Sequence, residues 1–292
     1  MDQPTHRRIL PIPKSNLLSE APSSTPLITV DGEEQCAHAL DALRSFVDPS
    51  ELAVVFQPII ELATGKLYAY EALVRCSLPE FRQPPALFEM AVKAQCTGLL
   101  GRMIREIGVP LASGVPLFVN IHPGELSDGW LVRPDDPIFC HDELAYLEVT
   151  ESVPLLHFEL CKSVLDEVCG RGSVFPVVDD FGAGYSNIKY ISDLNPKIVK
   201  IDRKLVTAIH EHPKQLKLVR ALVDLCTELD AKVVVEGIET TAEYSALLET
   251  GAHYGQGFLF ARPGFPLPEV RWPPRDEPEP KKRKERGTMR SG

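Results

Sequence analysis

Leu52-Ala53-Val54-Val55-Phe56-Gln57-Pro58-Ile59-Ile60, a link from Glu61 to Lys66 around Thr64-Gly65, and Leu67-Tyr68-Ala69-Tyr70-Glu71-Ala72-Leu73-Val74 decide how this chain folds. Both outer segments are apolar runs of strand length, rich in β-branched and aromatic residues. The link between them is too short for a parallel crossover, which needs a dozen or more residues. The two strands are therefore expected to run antiparallel. Further apolar runs follow at 116–121, 145–150, 174–180, 197–202, 232–237 and 253–260. Stretches with helical spacing separate most of them, at 86–107, 155–170, 214–229 and 241–249. Eight strands alternating with helices predict an α/β chain, a TIM-like (β/α)8 barrel with an antiparallel first strand. Alternation alone also admits an open, doubly wound sheet.

The rest of the 292 residues falls into three parts around this block. Residues 1–30 are rich in Pro, Ser and Thr without a period, which predicts a flexible leader. Over 31–48, Asp31 with Glu34 has the pattern of a capping box, and Cys36, Leu40, Leu43 and Val47 share one helical face. The barrel is expected over 49–266. A Pro-rich, charged tail fills 267–292, where the run Lys281-Lys282-Arg283-Lys284 is flanked by Glu277, Glu279 and Glu285 and reads as solvated.

A net charge of −10 argues against a broad basic face for DNA, RNA or a membrane surface. No apolar h-region follows Arg7 and Arg8, and no stretch approaches the length of a membrane span. Seven scattered cysteines without a CxxC fit a reduced, cytoplasmic setting better than a disulfide framework.

Barrel strands are apolar on both faces, so charged residues inside them call for a reason. Nearly every strand here has a polar residue near its end: Glu71, Asn120, Glu148, Asp179 with Asp180, Lys200, Glu236 and Gln256. Period-two alternation puts Glu71 on one face with Leu73 and Arg75, and Lys200 with Ile198 and Asp202. Singly, each acidic residue is a helix cap or a solvated strand end. Together, converging on the top of a barrel, they match a site for Mg²⁺ or Mn²⁺, which prefer oxygen ligands. Two such ions about 3.5–4 Å apart would clamp a phosphodiester. The loop Asp179-Asp180-Phe181-Gly182-Ala183-Gly184-Tyr185-Ser186-Asn187 opens with two carboxylates and carries glycines that permit tight backbone beside a site. Walker A, GxSxG and HExxH sequences are absent. His122 is expected to be a satisfied or exposed histidine.

In these motifs the chain resembles the EAL-domain cyclic di-GMP phosphodiesterases, from about Ala53 to Pro263. The likeness rests on Gln57-Pro58-Ile59, Glu71-Ala72-Leu73-Val74-Arg75, Val119-Asn120, Leu147-Glu148-Val149-Thr150-Glu151-Ser152 and Asp179-Asp180-Phe181-Gly182. It continues through Lys200-Ile201-Asp202, Glu236-Gly237-Ile238-Glu239-Thr240 and Gln256-Gly257-Phe258. The resemblance implies metal-dependent opening of cyclic di-GMP to linear pGpG, with two Mg²⁺ or Mn²⁺ ions and inhibition by Ca²⁺. It implies that Glu71, Asn120, Glu148 and Asp179 hold one ion, and that Asp179, Asp180 and Glu236 hold the other. Lys200 would lie near the attacking water, with Gln256 supporting the water or ligand shell. Arg75 would bind a phosphate, Gln57 a guanine end, and Asp202 the substrate. Glu151 and Glu239 would brace the glycine loop. Where the family often has Ser, Asp and Thr, this chain has His122, His253 and Ala183. The rival reading is a catalytically silent module that binds cyclic di-GMP or a protein. A homodimer and an unidentified regulatory protein are the other partners left open.

Overall fold

The computed structural model describes residues 30–150, 158–183 and 188–272. The expected leader, the Lys281–Lys284 run, Glu151 and residues 184–187 of the glycine loop lie outside them. Eight strands close into one barrel in the order β1-β2-β3-β4-β5-β6-β7-β8. They are β1 (Leu52–Glu61), β2 (Leu67–Cys76), β3 (Leu117–Ile121), β4 (Ala145–Thr150), β5 (Val174–Phe181), β6 (Ile198–Ile201), β7 (Lys232–Val235) and β8 (Tyr254–Gly255). As the short Thr64-Gly65 link requires, β1 is antiparallel to β2, with Gln57 opposite Glu71. It is antiparallel to β8 as well. From β2 through β8 every neighbouring pair is parallel.

The helices are α1 (Val30–Arg44), α2 (Pro84–Lys93), α3 (Thr97–Gly108), α4 (Phe158–Gly170), α5 (Ile188–Leu194), α6 (Arg203–Val206), α7 (Pro213–Glu228) and α8 (Thr241–Leu248). Helix α7 starts on a proline, where a missing N–H costs nothing, and buries Val219, Val223 and Cys226. Helix α8 is opened by a capping box of Thr240 and Glu243.

Several expected boundaries move. The single helix over 86–107 is two, because Gln95 takes a left-handed φ of 55° between α2 and α3. Among the described residues helix α1 runs from Val30 to Arg44, so Val47 lies beyond it. Asp48 caps the short 3-10 turn Pro49–Glu51. The strand expected over 253–260 is only two residues long. Beyond Gly255 the chain bends into a turn, with the Phe260 N–H donating to Gly257 O. Strand β7 stops at Val235, with Gly237 following at φ 70°. Strand β6 stops at Ile201 because Asp202 becomes the N-cap of α6.

One residue from each strand fills the barrel floor: Ile59, Ala69, Phe118, Tyr146, Val177, Ile198, Val234 and Tyr254. Side chains on a strand alternate between faces, so the residue two positions further along points into the same interior. Those positions are Glu71, Asn120, Glu148, Asp179, Lys200, Glu236 and Gln256, and on the reversed strand β1, counted backwards, Gln57. An apolar layer thus carries a polar layer directly above it. The polar layer lies at the C-terminal end of the parallel strands, the face on which barrel enzymes keep their chemistry.

Candidate active site

The polar layer is organised around Lys200, which is fully buried. Its Nζ lies 2.5 Å from Glu148 Oε1 and 2.6 Å from Glu236 Oε1. Glu71 Oε2 and Asp179 Oδ1 each stand 3.4 Å away. Amides tie the ring together. Gln256 Nε2 donates to Glu71 Oε2 at 2.6 Å and to Gln57 Oε1 at 3.2 Å. Asn120 Nδ2 donates to Glu71 Oε1 at 3.0 Å, and Gln57 Nε2 to Ala261 O at 3.1 Å.

Adjacent residues on a regular strand face opposite ways, so Asp179 and Asp180 need a local device to serve one site. The β5–β6 register slips between Val178 and Phe181, and Asp180 takes a φ of 59°. Such a bulge re-aims a side chain next to a site, at a backbone angle non-glycine residues seldom adopt. Thr150 Oγ1 donates to Asp180 Oδ2 at 3.0 Å and helps hold the bend. Carboxylate oxygens of Asp179, Asp180 and Glu236 consequently lie within 4.8 Å of one another. Lys204 Nζ donates to Ala183 O at 3.0 Å on the outer side of the same turn.

One ammonium cannot satisfy four carboxylates out of water, and the proton affinities record the imbalance. Burial pushes Glu148 well above the usual carboxylate range, and the charge of Glu71 adds to it. Burial likewise lifts Asp179 to about 6 and Glu236 to about 8, with Lys200 opposing in both cases. Glu71 goes the other way. Burial raises it, but Lys200 and the amides of Gln256 and Asn120 outweigh that and hold it below its ordinary value. Burial alone would lower Lys200, yet the surrounding carboxylates, Asp179 first, raise it well above the usual lysine value. Among the described residues, both oxygens of Glu148, Oδ1 of Asp179 and Oε1 of Gln256 are buried without a hydrogen-bond partner. Glu148 Oε1 and Asp179 Oδ1 have the Lys200 charge beside them, at 2.5 and 3.4 Å. Oxygen-only donors, surplus negative charge and buried oxygens lacking donors fit hard divalent cations.

The remaining expected residues surround this layer. Arg75 is half-buried and its Nη1 donates to Val74 O at 2.8 Å. Asp202 borders the cleft above the carboxylates, with its Oδ1 accepting from Lys204 N at 3.0 Å. That cleft, about 320 Å³, also meets Gln57, Leu73 and Phe258. Glu239 is exposed and pairs loosely with Arg203 at 3.7 Å. His122 faces no ligand position; its Nδ1 accepts from Gly124 N at 3.0 Å and its ring stacks on Phe88. His253 is similarly occupied, accepting from Val233 N at 3.2 Å.

Gly257, beside Gln256, has a packing role that its motif did not reveal. A Cβ there would stand 2.0 Å from Ile238 O and 2.4 Å from Ile238 N, both backbone atoms that cannot swing away. Gly257→Ala is expected to cost roughly 2–3 kcal/mol, in the range of overpacking. Thermal denaturation should report it as a fall of roughly 5–10 °C in Tm. An unchanged Tm would show that the 236–239 and 256–260 loops separate freely.

Comparison with known proteins agrees with this architecture. The chain belongs to the EAL domain family, which it matches over residues 40–263. It is 31% identical over 244 residues to the cyclic di-GMP phosphodiesterase PdeR of Escherichia coli strain K12, covering 79% of this chain and 36% of that protein. It is 32% identical over 226 residues to the cyclic di-GMP phosphodiesterase PA2567 of Pseudomonas aeruginosa, covering 73% and 38%. The chain thus spans little more than a third of the length of these relatives. Among solved structures, the PaMucR phosphodiesterase in complex with c-di-GMP superposes with a TM-score of 0.65 at 27% identity, covering 77% of this chain and 97% of that one. The manganese and c-di-GMP complex of Klebsiella pneumoniae BlrP1 gives 0.60 at 28%, covering 75% and 57%.

Proposed function

We propose that this chain hydrolyses cyclic di-GMP to linear pGpG, using Mg²⁺ or Mn²⁺, and so lowers a second messenger in bacterial signalling. The observation that carries the reading is the convergence of Asp179, Asp180 and Glu236 within 4.8 Å, in the polar layer that also holds Glu71, Asn120 and Glu148. Membership of the EAL family and the ligands named for the relatives support it. Glu71, Asn120, Glu148 and Asp179 would hold one cation, and Asp179, Asp180 and Glu236 the second. Bound there, the cations supply charge to offset the phosphodiester and to favour ionisation of the attacking water.

The chain's own residues do the rest. Lys200 keeps a fixed positive charge at the centre of the layer, where its Nζ can donate to the phosphate or to the incoming water. Gln256 and Asn120 hold Glu71 from two sides and fix its oxygens. Arg75 offers a forked cation to the second phosphate. Gln57 and Asp202 stand at the substrate side of the cleft, and Glu151 and Glu239 brace the loop after Asp180. The cytoplasm, where cyclic di-GMP is made and read, is the proposed setting. The scattered cysteines, with no CxxC among them, suit it. Among the described residues no helix is long and apolar enough to cross a membrane. A homodimer and a regulatory protein remain the proposed partners.

The test is incubation of the purified protein with cyclic di-GMP and each of Mg²⁺, Mn²⁺ and Ca²⁺, followed by chromatography. Mg²⁺ and Mn²⁺ should give pGpG. Ca²⁺ should allow binding with little cleavage, because its bonds are longer and its geometry looser. Binding without cleavage under every ion would establish the silent module instead.

A further inference from the structure

We propose that Arg105, acting with Glu125 and Asp136, is a positioning residue that sets the placement of Asn120 and thereby the divalent-cation affinity of the site. The proposal rests on the reading of Asn120 as a cation ligand. Arg105 lies on α3, outside the barrel, and touches neither the cleft nor the carboxylate ring. All three side chains are fully buried. The guanidinium forks onto Asp136, with Nε 3.0 Å from Oδ1 and Nη2 2.9 Å from Oδ2. Its Nη1 reaches Glu125 Oε2 at 2.7 Å.

The carboxylates carry this anchor into the connection between β3 and β4. Glu125 Oε1 accepts the backbone N–H of His122 at 2.9 Å, two residues beyond Asn120. Asp136 Oδ1 accepts the N–H of Ile138 at 3.1 Å. Asn120 therefore sits near the end of strand β3, just before a turn whose first N–H is fixed through Glu125 to a helix outside the barrel. The fit is close. A Cβ on Gly101, one helical turn before Arg105, would stand 2.0 Å from Glu125 Oε2. Gly98 N donates to Asp128 Oδ2 at 2.8 Å, adding a second tie between α3 and the same connection.

Apolar side chains of equal volume would cover this part of α3 at similar or lower energetic cost than a buried ion triad. What the triad adds is direction. Its hydrogen bonds fix the His122 backbone, and with it Asn120 Oδ1, to a defined distance from the helix. Residues behind a ligand typically change metal affinity by about 10- to 100-fold when altered.

The experiment is calorimetric titration of the metal-stripped full chain with Mn²⁺, with thermal denaturation run alongside as a check on folding. Glu125→Gln keeps the shape and an oxygen for His122 N–H while removing the charge that anchors Arg105. Gly101→Ala displaces Glu125 without touching any charge, and alanine is the better helix former. Each should weaken Mn²⁺ binding by about 10-fold. In an Asn120→Ala background, Glu125→Gln should change Mn²⁺ affinity by less than about 2-fold, since the group it positions is gone. Unchanged Mn²⁺ affinity in both single variants would overturn the proposal. So would a full Glu125→Gln effect persisting without Asn120, with the ligand reading of Asn120 left standing. If Asn120→Ala alone leaves Mn²⁺ affinity unaltered, that reading falls together with the proposal.

Discussion

Replacing Lys200 with Met should lower the melting temperature of the metal-free protein by roughly 10 °C, and addition of Mn²⁺ should restore much of the loss. Among the described residues Lys200 is the sole ammonium within ion-pair distance of Glu71, Glu148, Asp179 and Glu236. Removing one partner of a buried ion pair leaves an uncompensated charge and costs about 3–5 kcal/mol. For a domain of this size each kcal/mol corresponds to about 2–4 °C. Methionine fills nearly the same space, so the loss reflects charge and not a void. A divalent cation among the same oxygens would supply what the ammonium no longer does. The check is thermal denaturation in chelator and in Mn²⁺. An equal fall in both would mean that the carboxylates take up no cation. A fall of only a degree or two in chelator would mean that they shed their charge by taking protons at little cost.

Asp179→Asn should remove turnover to below about one part in a thousand, the scale of losing a group that stabilises transition-state charge. Asp179 is the residue shared by both proposed ion sites, so its loss touches each. The same change should leave the metal-free protein as stable as before, or slightly more so. It replaces a buried carboxylate whose Oδ1 lacks a hydrogen bond with a neutral amide of the same shape. Opposite signs in the two measurements are the signature of a residue kept for chemistry at the expense of stability. Product chromatography and thermal denaturation in chelator read them separately. Substantial residual turnover would dismiss Asp179 as a shared ligand, and a large fall in Tm would assign it a structural role.

The sequence made the barrel legible because two periodicities were strong. The brevity of the Thr64-Gly65 link settled the direction of β1, and period two grouped Glu71 with Arg75 and Lys200 with Asp202. Residues without a period were harder to read. Asp179 and Asp180 could be assigned to one strand end, but their joint aim depends on a bulge and a left-handed residue that alternation cannot express. Strand β8 was overestimated because Phe258, Leu259 and Phe260 are as apolar as a strand. It is the close approach of Gly257 to Ile238 that bends them out of the sheet. The Arg105 triad left only a faint trace, a charged residue one turn after Gly101 on an otherwise apolar helix face. Its partners lie 20 and 31 residues away, beyond what local pattern can connect.

The seam of the barrel has a bearing on how the molecule comes into being. Strand β1 lies next to β8, and β8 offers it only Gly255 and Tyr254 as partners, with Phe56 and Gly264 forming one further bridge. Gln57 and Gln256 meet across that seam, 199 residues apart in the chain. A ribosome that has delivered everything through α8 has released seven strands, yet Glu71 still lacks the amide of Gln256. The polar layer is therefore completed only by long-range pairing of the kind that forms slowly. A nascent barrel cannot complete this layer before synthesis has passed the residues that close it.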